Sequence, residues 1–246
     1  MDRQSDEIVA YYTDRYREDL RLAARPQARL ERTRTLELLR EYLPAPPARI
    51  LDVGGGTGEY ARALVALGYR VRLLDLVPAH VTQARAGHPT ADRCRALAEA
   101  VRVTRPGGRV LAAAISRFAG PLDFAATGRL DDRMVEEAAV LLTDGRNDAR
   151  LGFTHAYFHR VEELLDECRT AGLVDLVVDG IEGPAWIAAE AAAHGPMAET
   201  VFTAALRLAR VYRREPALVT ASAHLLARGT VGDPSDIGRD RPDLRA

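Results

Sequence analysis

The chain has 246 residues, a hydrophobic fraction of 47% and a formal net charge of -1, which predict one globular domain of medium size and exclude the bulk charge that attracts nucleic acid. All 34 basic residues are arginine, so chemistry that needs a lysine, as in pyridoxal-phosphate enzymes and P-loop NTPases, is also excluded. The first residues are charged and no apolar run is long enough to span a bilayer, which predicts a cytoplasmic protein without membrane contact.

The first half of the chain begins with a helical pattern and then alternates strands with helices. Residues 1–45 are predicted to form an N-terminal helical cap that ends at "LPAPPAR". A short buried strand "RILDV", a glycine turn "GGGTG" and the helix "EYARALVALG" follow it. A second strand, "YRVRLLDL", leads into a helix that has Pro78 in its first turn.

The second half continues this alternation up to a polar tail. A helix "ADRCRALAEAVRVT" precedes the strand "RVLAAAI", and a helical insertion is predicted over about 118–160. The helix "RVEELLDECRTAG", the strand "LVDLVVDGIEG", a long helix and the strand "SAHLLARG" complete a domain over 46–228. Residues 229–246 are predicted to be disordered. This order predicts an α/β sheet that is mostly parallel, with an antiparallel strand at its edge.

The glycine turn is the strongest functional signal. Gly54, Gly56 and Gly58 follow Asp52 between a strand and a helix, where glycines let a ligand lie against backbone N–H groups. Asp75 ends the next strand, and a carboxylate at that point can accept both hydroxyl protons of a ribose. The spacing is GxGxG, whereas dinucleotide-binding proteins have GxGxxG, which argues against an NAD or nucleotide-sugar enzyme.

These residues resemble motif I of the class I S-adenosylmethionine-dependent methyltransferases, and "RVTRPGGRVLAAAIS" resembles the later turn and fifth strand of that family. The resemblance implies a Rossmann-like sheet with helices on both faces, S-adenosyl-L-methionine as cofactor and methyl transfer to a small-molecule acceptor. It also implies that Gly54, Gly56 and Gly58 line the cofactor and that Asp75 binds its ribose. Asp52 would place the loop and the methionine amino group.

The chain is too short for the whole family sheet. The family has a third and a fourth strand between the second and the fifth, but only 34 positions separate Asp75 from Arg109 here. Two predicted helices take up most of them, so we expect a sheet shortened by about two strands. Either the first and fifth strands then pair directly, or another segment or chain fills the place. A homodimer would cover the open edge, and a truncated, weakly stable paralogue is the alternative.

Candidate residues for chemistry lie in "THAYFHR". The resemblance suggests that His155, Tyr157 and His159 line the acceptor pocket and supply a base, and the alternative is that they cap the following helix. The two histidines are four positions apart without an evident third ligand, so no metal site is predicted.

Two further residues are predicted to contact the cofactor. Tyr12 lies where family members fold a lid helix over it, although plain packing is the alternative. Arg34, with Arg32, is a candidate for a bidentate contact with the methionine carboxylate, and a solvated helix face is the alternative. The sequence thus predicts a small-molecule methyltransferase, with a catalytically impaired relative that binds cofactor or a partner without turnover as the second hypothesis.

Overall fold

The computed structural model describes residues 25–75, 93–147 and 156–232. Its helices are α1 (Pro26–Tyr42), α2 (Glu59–Ala66), α3 (Arg93–Val103), α4 (Ala119–Ala126), α5 (Asp132–Asp144), α6 (Val161–Thr170), α7 (Trp186–Ala191), α8 (Ala198–Tyr212) and α9 (Pro216–Val219). Its strands are β1 (Arg49–Val53), β2 (Arg70–Leu74), β3 (Arg109–Ile115), β4 (Arg146–Asn147), β5 (Ala156–Tyr157), β6 (Leu173–Gly180) and β7 (His224–Val231).

Strands β1 and β2 form a parallel pair in which Arg49 lies opposite Arg70 and Val53 lies opposite Leu74. The crossover between them is α2, which packs against β2. Because the two strands are parallel, their carboxyl ends meet at one edge, immediately beside the glycine turn.

The second sheet has the order β3-β7-β6, and both pairings are antiparallel. Strands β3 and β6 therefore run in the same direction and β7 alone is reversed. The predicted antiparallel strand is thus present, but it lies in the middle of its sheet and not at the edge. A separate two-residue ladder joins β4 to β5.

Helices cover both faces of the second sheet, as predicted. Along β7, Leu225 and Ala227 pack with Leu164 and Cys168 of α6 on one face. Leu226, which points to the other face, packs with Leu38 of α1. This alternation is what a strand buried on both faces requires.

Helix α1 is held to the sheet by a buried polar group. Asp179 on β6 is fully buried and accepts hydrogen bonds from the Tyr42 hydroxyl and from Arg214 Nε, the latter at 2.9 Å. The α1 helix also packs against α7 and α8 through the apolar cluster around Leu30 and Trp186. The described part of the predicted N-terminal cap is therefore fixed on the sheet.

The place of the missing strands is visible at the edge of β3. Among the described residues β1 pairs with β2 alone, and its Leu51 and Val53 side chains are 41% and 61% exposed. The backbone of His159 pairs in parallel with the end of β3, through His159 N to Ile115 O at 2.8 Å and Arg117 N to His159 O at 2.9 Å. Because Ser116 N donates on the opposite side to Ala223 O, immediately before β7, the His159 segment occupies the edge that faces away from β7.

The described residues also bear on the ends of the predicted domain. Strand β7 continues to Val231, so the first three residues of the predicted tail are strand, while 233–246 lie outside the described residues. No helix in the described ranges combines the length and apolar character needed to cross a membrane.

Candidate functional site

The glycine turn between β1 and α2 depends on left-handed backbone conformations. Gly54, Gly56 and Gly58 have φ angles of 73°, 54° and 82°, values that a residue with a Cβ adopts only at a cost. Gly54 N donates to Leu74 O at 2.7 Å, which ties the turn to the end of β2. The three predicted glycines are therefore required by the path of the backbone.

Gly55, which had no predicted role, allows a close approach within the same turn. A Cβ built at this position would lie 2.5 Å from Asp52 Oδ2 and 2.8 Å from Leu73 Cδ1. Contacts that short do not occur between non-bonded atoms, so the turn folds tightly over the Asp52 carboxylate because position 55 lacks a side chain.

Asp52 and Asp75 place two carboxylates at this turn. Asp75 Oδ2 accepts a hydrogen bond from Gly56 N at 2.7 Å. Asp52 Oδ2 is shielded from solvent and makes no hydrogen bond within the described residues. Burial, and next the negative charge of Asp75, raise the pKa of the Asp52 carboxyl from 3.8 to about 6. A cationic group placed against Asp52 would relieve this unfavourable arrangement.

The two predicted arginines of α1 have different surroundings, since Arg32 contacts the helix that follows the turn, whereas Arg34 contacts Glu37, which pairs with Arg210 of α8. Arg32 forms an ion pair with Glu59, the first residue of α2, with an Nε to Oε1 distance of 2.8 Å. Arg34 is buried and pairs with Glu37 of the same helix. Its Nε and Nη2 atoms are shielded from solvent and make no hydrogen bond within the described ranges. A buried guanidinium with such atoms suits an anionic ligand, so the carboxylate contact of Arg34 stays a prediction.

Tyr157 and His159 are brought together at the edge of β3. The Tyr157 and His159 rings meet edge to face with centroids 4.8 Å apart. His159 is buried, and its Nε2 lies 3.2 Å from Glu167 Oε2 on α6. Their neighbour Arg117 is buried too, and it donates to the Tyr157 hydroxyl at 2.9 Å and to Glu163 at 2.6 Å.

Two predicted site residues lie outside the described residues. These are Tyr12 and His155, so the roles given to them in the cofactor lid and the acceptor pocket stay predictions. Of the three predicted residues His155, Tyr157 and His159, the structure therefore describes only Tyr157 and His159.

A third group of polar residues had no predicted role. Glu182 follows β6 and His224 begins β7, and His224 Nδ1 lies 2.5 Å from Glu182 Oε1. Gly180 lies opposite Leu225 in the sheet register, which brings these two positions together across 42 residues of sequence. Only the pairing of the strands reveals the contact, because nothing local marks either residue.

Comparison with known proteins places this geometry in a fold family. No protein-family model matches the chain, and a search of curated proteins found no match. Among solved structures, the chain is similar to an S-adenosylmethionine-dependent methyltransferase from Mesorhizobium loti, with 19% identity and a TM-score of 0.51 over 82% of this chain and 99% of that one. The fold is that of the class I S-adenosylmethionine-dependent methyltransferases.

Other solved structures extend the comparison. The cyclopropane synthase MmaA2 from Mycobacterium tuberculosis has 15% identity and a TM-score of 0.51, over 93% of this chain and 98% of that one. Two structures of phosphoethanolamine N-methyltransferase 2 from Haemonchus contortus are 14% identical over 82% and 91% of this chain, with TM-scores of 0.44 and 0.49. The chain spans only 53% and 59% of the length of these last two. The predicted α/β fold class with a shortened core is confirmed, and only the position of the antiparallel strand within its sheet differs.

Proposed function

We propose that this protein binds S-adenosylmethionine and transfers its methyl group to a small-molecule acceptor. The observation that carries the proposal is the shielded Asp52 carboxylate, which lies beside Asp75 at the carboxyl ends of two parallel strands. S-adenosylmethionine has a sulfonium and an ammonium group, so it supplies the positive charge that this carboxylate lacks. The similarity to the Mesorhizobium loti methyltransferase fold supports the same ligand.

The residues present fit the parts of this cofactor. The glycine turn, with φ above zero at Gly54, Gly56 and Gly58, leaves backbone open to a ligand at the start of α2. Asp75 has the carboxylate for the ribose hydroxyls, and Asp52 has the one for the amino group. Arg34, with its shielded Nε and Nη2 atoms, stays the proposed partner of the methionine carboxylate, and Arg32, which pairs with Glu59 at the start of α2, lies nearer the turn.

The acceptor side is proposed to lie at the edge of β3. His159 is the candidate base, and Glu167 Oε2 at 3.2 Å from its Nε2 would orient the imidazole ring. Tyr157 touches the same ring, and Arg117 fixes its hydroxyl at 2.9 Å. Because methyl transfer depends largely on alignment of nucleophile and methyl carbon, rigid support for these side chains would contribute directly to the rate.

A second candidate function is favoured by the open edge of the first sheet. Leu51 and Val53 on β1 are exposed, and the described residues contain no strand between β1 and β3. A protein with this incomplete sheet could bind cofactor or a partner without turnover. A homodimer that covers β1 is the alternative to a truncated, weakly stable paralogue, and sedimentation as a compact monomer would contradict the dimer.

Calorimetry with S-adenosylmethionine and S-adenosylhomocysteine tests the proposal. We expect both to bind, and binding of neither at about 1 mM, which corresponds to about 4 kcal/mol, would rule out the cofactor assignment. Release of S-adenosylhomocysteine in the presence of a panel of hydroxyl and amine acceptors then tests turnover. Binding without release on any acceptor would favour the impaired relative.

The ribose assignment is tested by the Asp75→Ala variant. Loss of a charge-assisted hydrogen bond costs about 1.5–3 kcal/mol, so the affinity for S-adenosylmethionine should fall by roughly tenfold to a hundredfold. The measurement is titration calorimetry at pH 7.5.

Two further variants make this result specific. Asp75→Asn keeps an oxygen that can accept from Gly56 N, and it should still bind more weakly than the wild type because the charge is gone. Asp132→Ala removes an exposed carboxylate on α5 and should leave the affinity unchanged. Wild-type affinity in Asp75→Ala would refute the ribose assignment.

A further inference from the structure

Three ligating side chains from three separate elements meet where β6 ends and β7 begins. Glu31 comes from α1, Glu182 from the turn after β6 and His224 from the first position of β7. One carboxylate oxygen of each glutamate and Nδ1 of His224 all lie within 4.8 Å of one another. This group shares no residue with the glycine turn or with the Tyr157–His159 pair.

Glu182 is held in place as an ionised acceptor. It is fully buried, and its Oε2 accepts from Ser222 Oγ at 2.8 Å and from His224 N at 2.9 Å. With Oε2 fixed in this way, Oε1 points to His224, which is the kind of outer support that orients metal ligands.

Gln27 at the start of α1 adds a fourth polar group. Its Nε2 lies 3.3 Å from Glu182 Oε1 and 3.5 Å from His224 Nδ1. A half turn of the amide would place Gln27 Oε1 where Nε2 lies now, and this carbonyl oxygen could then act as a ligand.

Small shifts of these side chains would bring their ligand atoms around one cation. Metal–ligand bonds of about 2.0–2.2 Å place two ligands of one ion about 3–3.5 Å apart. The 3.3 and 3.5 Å distances belong to Gln27 Nε2, a donor, so Gln27 offers a ligand there only after its amide turns. Glu31 Oε2, at 3.9 Å from His224 Nδ1, must move slightly closer when an ion binds. The Nδ1 to Oε1 contact of 2.5 Å is that of a hydrogen bond, so it must widen when an ion takes the place of the proton.

We infer that Glu31, Glu182 and His224 form a binding site for a transition-metal dication, with Gln27 as a fourth ligand. Two carboxylates and a neutral imidazole form a ligand set that suits a dication. An imidazole nitrogen among oxygen ligands favours Zn²⁺ or Mn²⁺ over Mg²⁺, which prefers oxygen alone. Coordination through Nδ1 uses the imidazole form that has its hydrogen on Nε2.

The test is titration of the chelator-treated full chain with ZnCl₂, MnCl₂ and MgCl₂ by calorimetry. We expect one Zn²⁺ or Mn²⁺ per chain and binding of Mg²⁺ that is at least about tenfold weaker. Glu182→Gln and His224→Gln should each weaken Zn²⁺ and Mn²⁺ binding by more than about tenfold. Glu199→Gln and His194→Gln change exposed residues of the same types and should bind as the wild type does.

Thermal unfolding in the presence and absence of the metal gives a second readout, since an ion that binds the folded state raises Tm. This rise should be lost in Glu182→Gln and His224→Gln. It should also shrink in Glu31→Gln, which removes the negative charge of the ligand on α1, and this variant is decisive if the first two do not fold. The inference is overturned if the wild-type protein binds no metal at about 1 mM. It is also overturned if the variants of the three ligands bind metal as tightly as Glu199→Gln and His194→Gln do. Either result would mean that Glu182 and His224 form only a hydrogen-bonded ion pair.

Discussion

The Asp52→Asn variant is expected to be more stable than the wild-type protein at pH 7.5, by about 2–3 kcal/mol, or about 5–10 °C in Tm. In the wild type, the Asp52 carboxylate is ionised at this pH although Oδ2 is shielded and lacks a hydrogen bond within the described residues. An amide of the same shape has no charge to bury, so the variant avoids that cost.

The stabilisation should depend on pH in a defined window. The pKa of Asp52 is raised from 3.8 to about 6 by burial and by the charge of Asp75. The folded protein therefore holds this proton at pH values where the unfolded chain has released it, and the wild type loses stability as the pH rises from about 4 to about 6. Asparagine does not titrate, so the two proteins should be nearly equal at pH 4 and differ fully above pH 6.5.

The same substitution should weaken S-adenosylmethionine binding by roughly tenfold to a hundredfold, because the ammonium and sulfonium groups lose the nearest carboxylate. Urea unfolding at several pH values and titration calorimetry measure the two effects separately. Asp166→Asn, which changes an exposed carboxylate on α6, should alter neither. A pH-independent difference in stability would contradict the buried charge, whereas unchanged affinity would contradict its place in the cofactor site.

The glycine turn and the strand before it could be predicted because their signals are local. The strand "RILDV" coincides with β1, and three of the four glycines in "GGGTG" have the left-handed φ angles that a glycine permits. The shortened core was also predictable, since the length of strands and turns limits what fits between Asp75 and Arg109. Both conclusions use only residues that are neighbours in sequence.

The features that the sequence did not predict are contacts that depend on which strands pair with each other. The register of β6 with β7 places Glu182 against His224, and the same register places β7 in the middle of its sheet. The backbone of His159 fills part of the edge of β3, a pairing between residues more than 40 positions apart. The sequence pattern of either segment does not predict these contacts, because both contacts join residues that are far apart in the chain.

The Arg117→Met variant is expected to lose about 2–4 kcal/mol of stability, because it leaves acceptors of a buried guanidinium without a donor while the partner Glu163 stays partly exposed. Arg117 is 2% exposed. Its guanidinium donates to Phe158 O at 3.1 Å, to the Tyr157 hydroxyl at 2.9 Å and to Glu163 Oε2 at 2.6 Å. Methionine fills a similar volume but leaves these acceptors without a donor. Urea unfolding at pH 7.5 measures the loss.

Comparison with Arg169→Met separates burial from charge. Arg169 forms an exposed ion pair with Asp166 at 2.6 Å, so its loss should change stability by less than about 0.5 kcal/mol. Arg117→Lys keeps the charge but cannot present the planar fork to three acceptors, so it should lie between the wild type and the methionine variant. Equal effects of Arg117→Met and Arg169→Met would show that the buried contacts contribute nothing.

The functional consequence follows from what Arg117 holds. It fixes the segment of Tyr157 and His159 against the end of β3, and it touches neither the glycine turn nor Asp52 in the described hydrogen bonds. If this segment carries the acceptor chemistry, Arg117→Met should bind S-adenosylmethionine as tightly as the wild type at temperatures well below the Tm of the variant, but its turnover should fall. Amide exchange over 156–160 should become faster at the same time. Turnover that stays at the wild-type rate while amide exchange accelerates would remove Tyr157 and His159 from the chemistry and leave them as supports of the β3 edge.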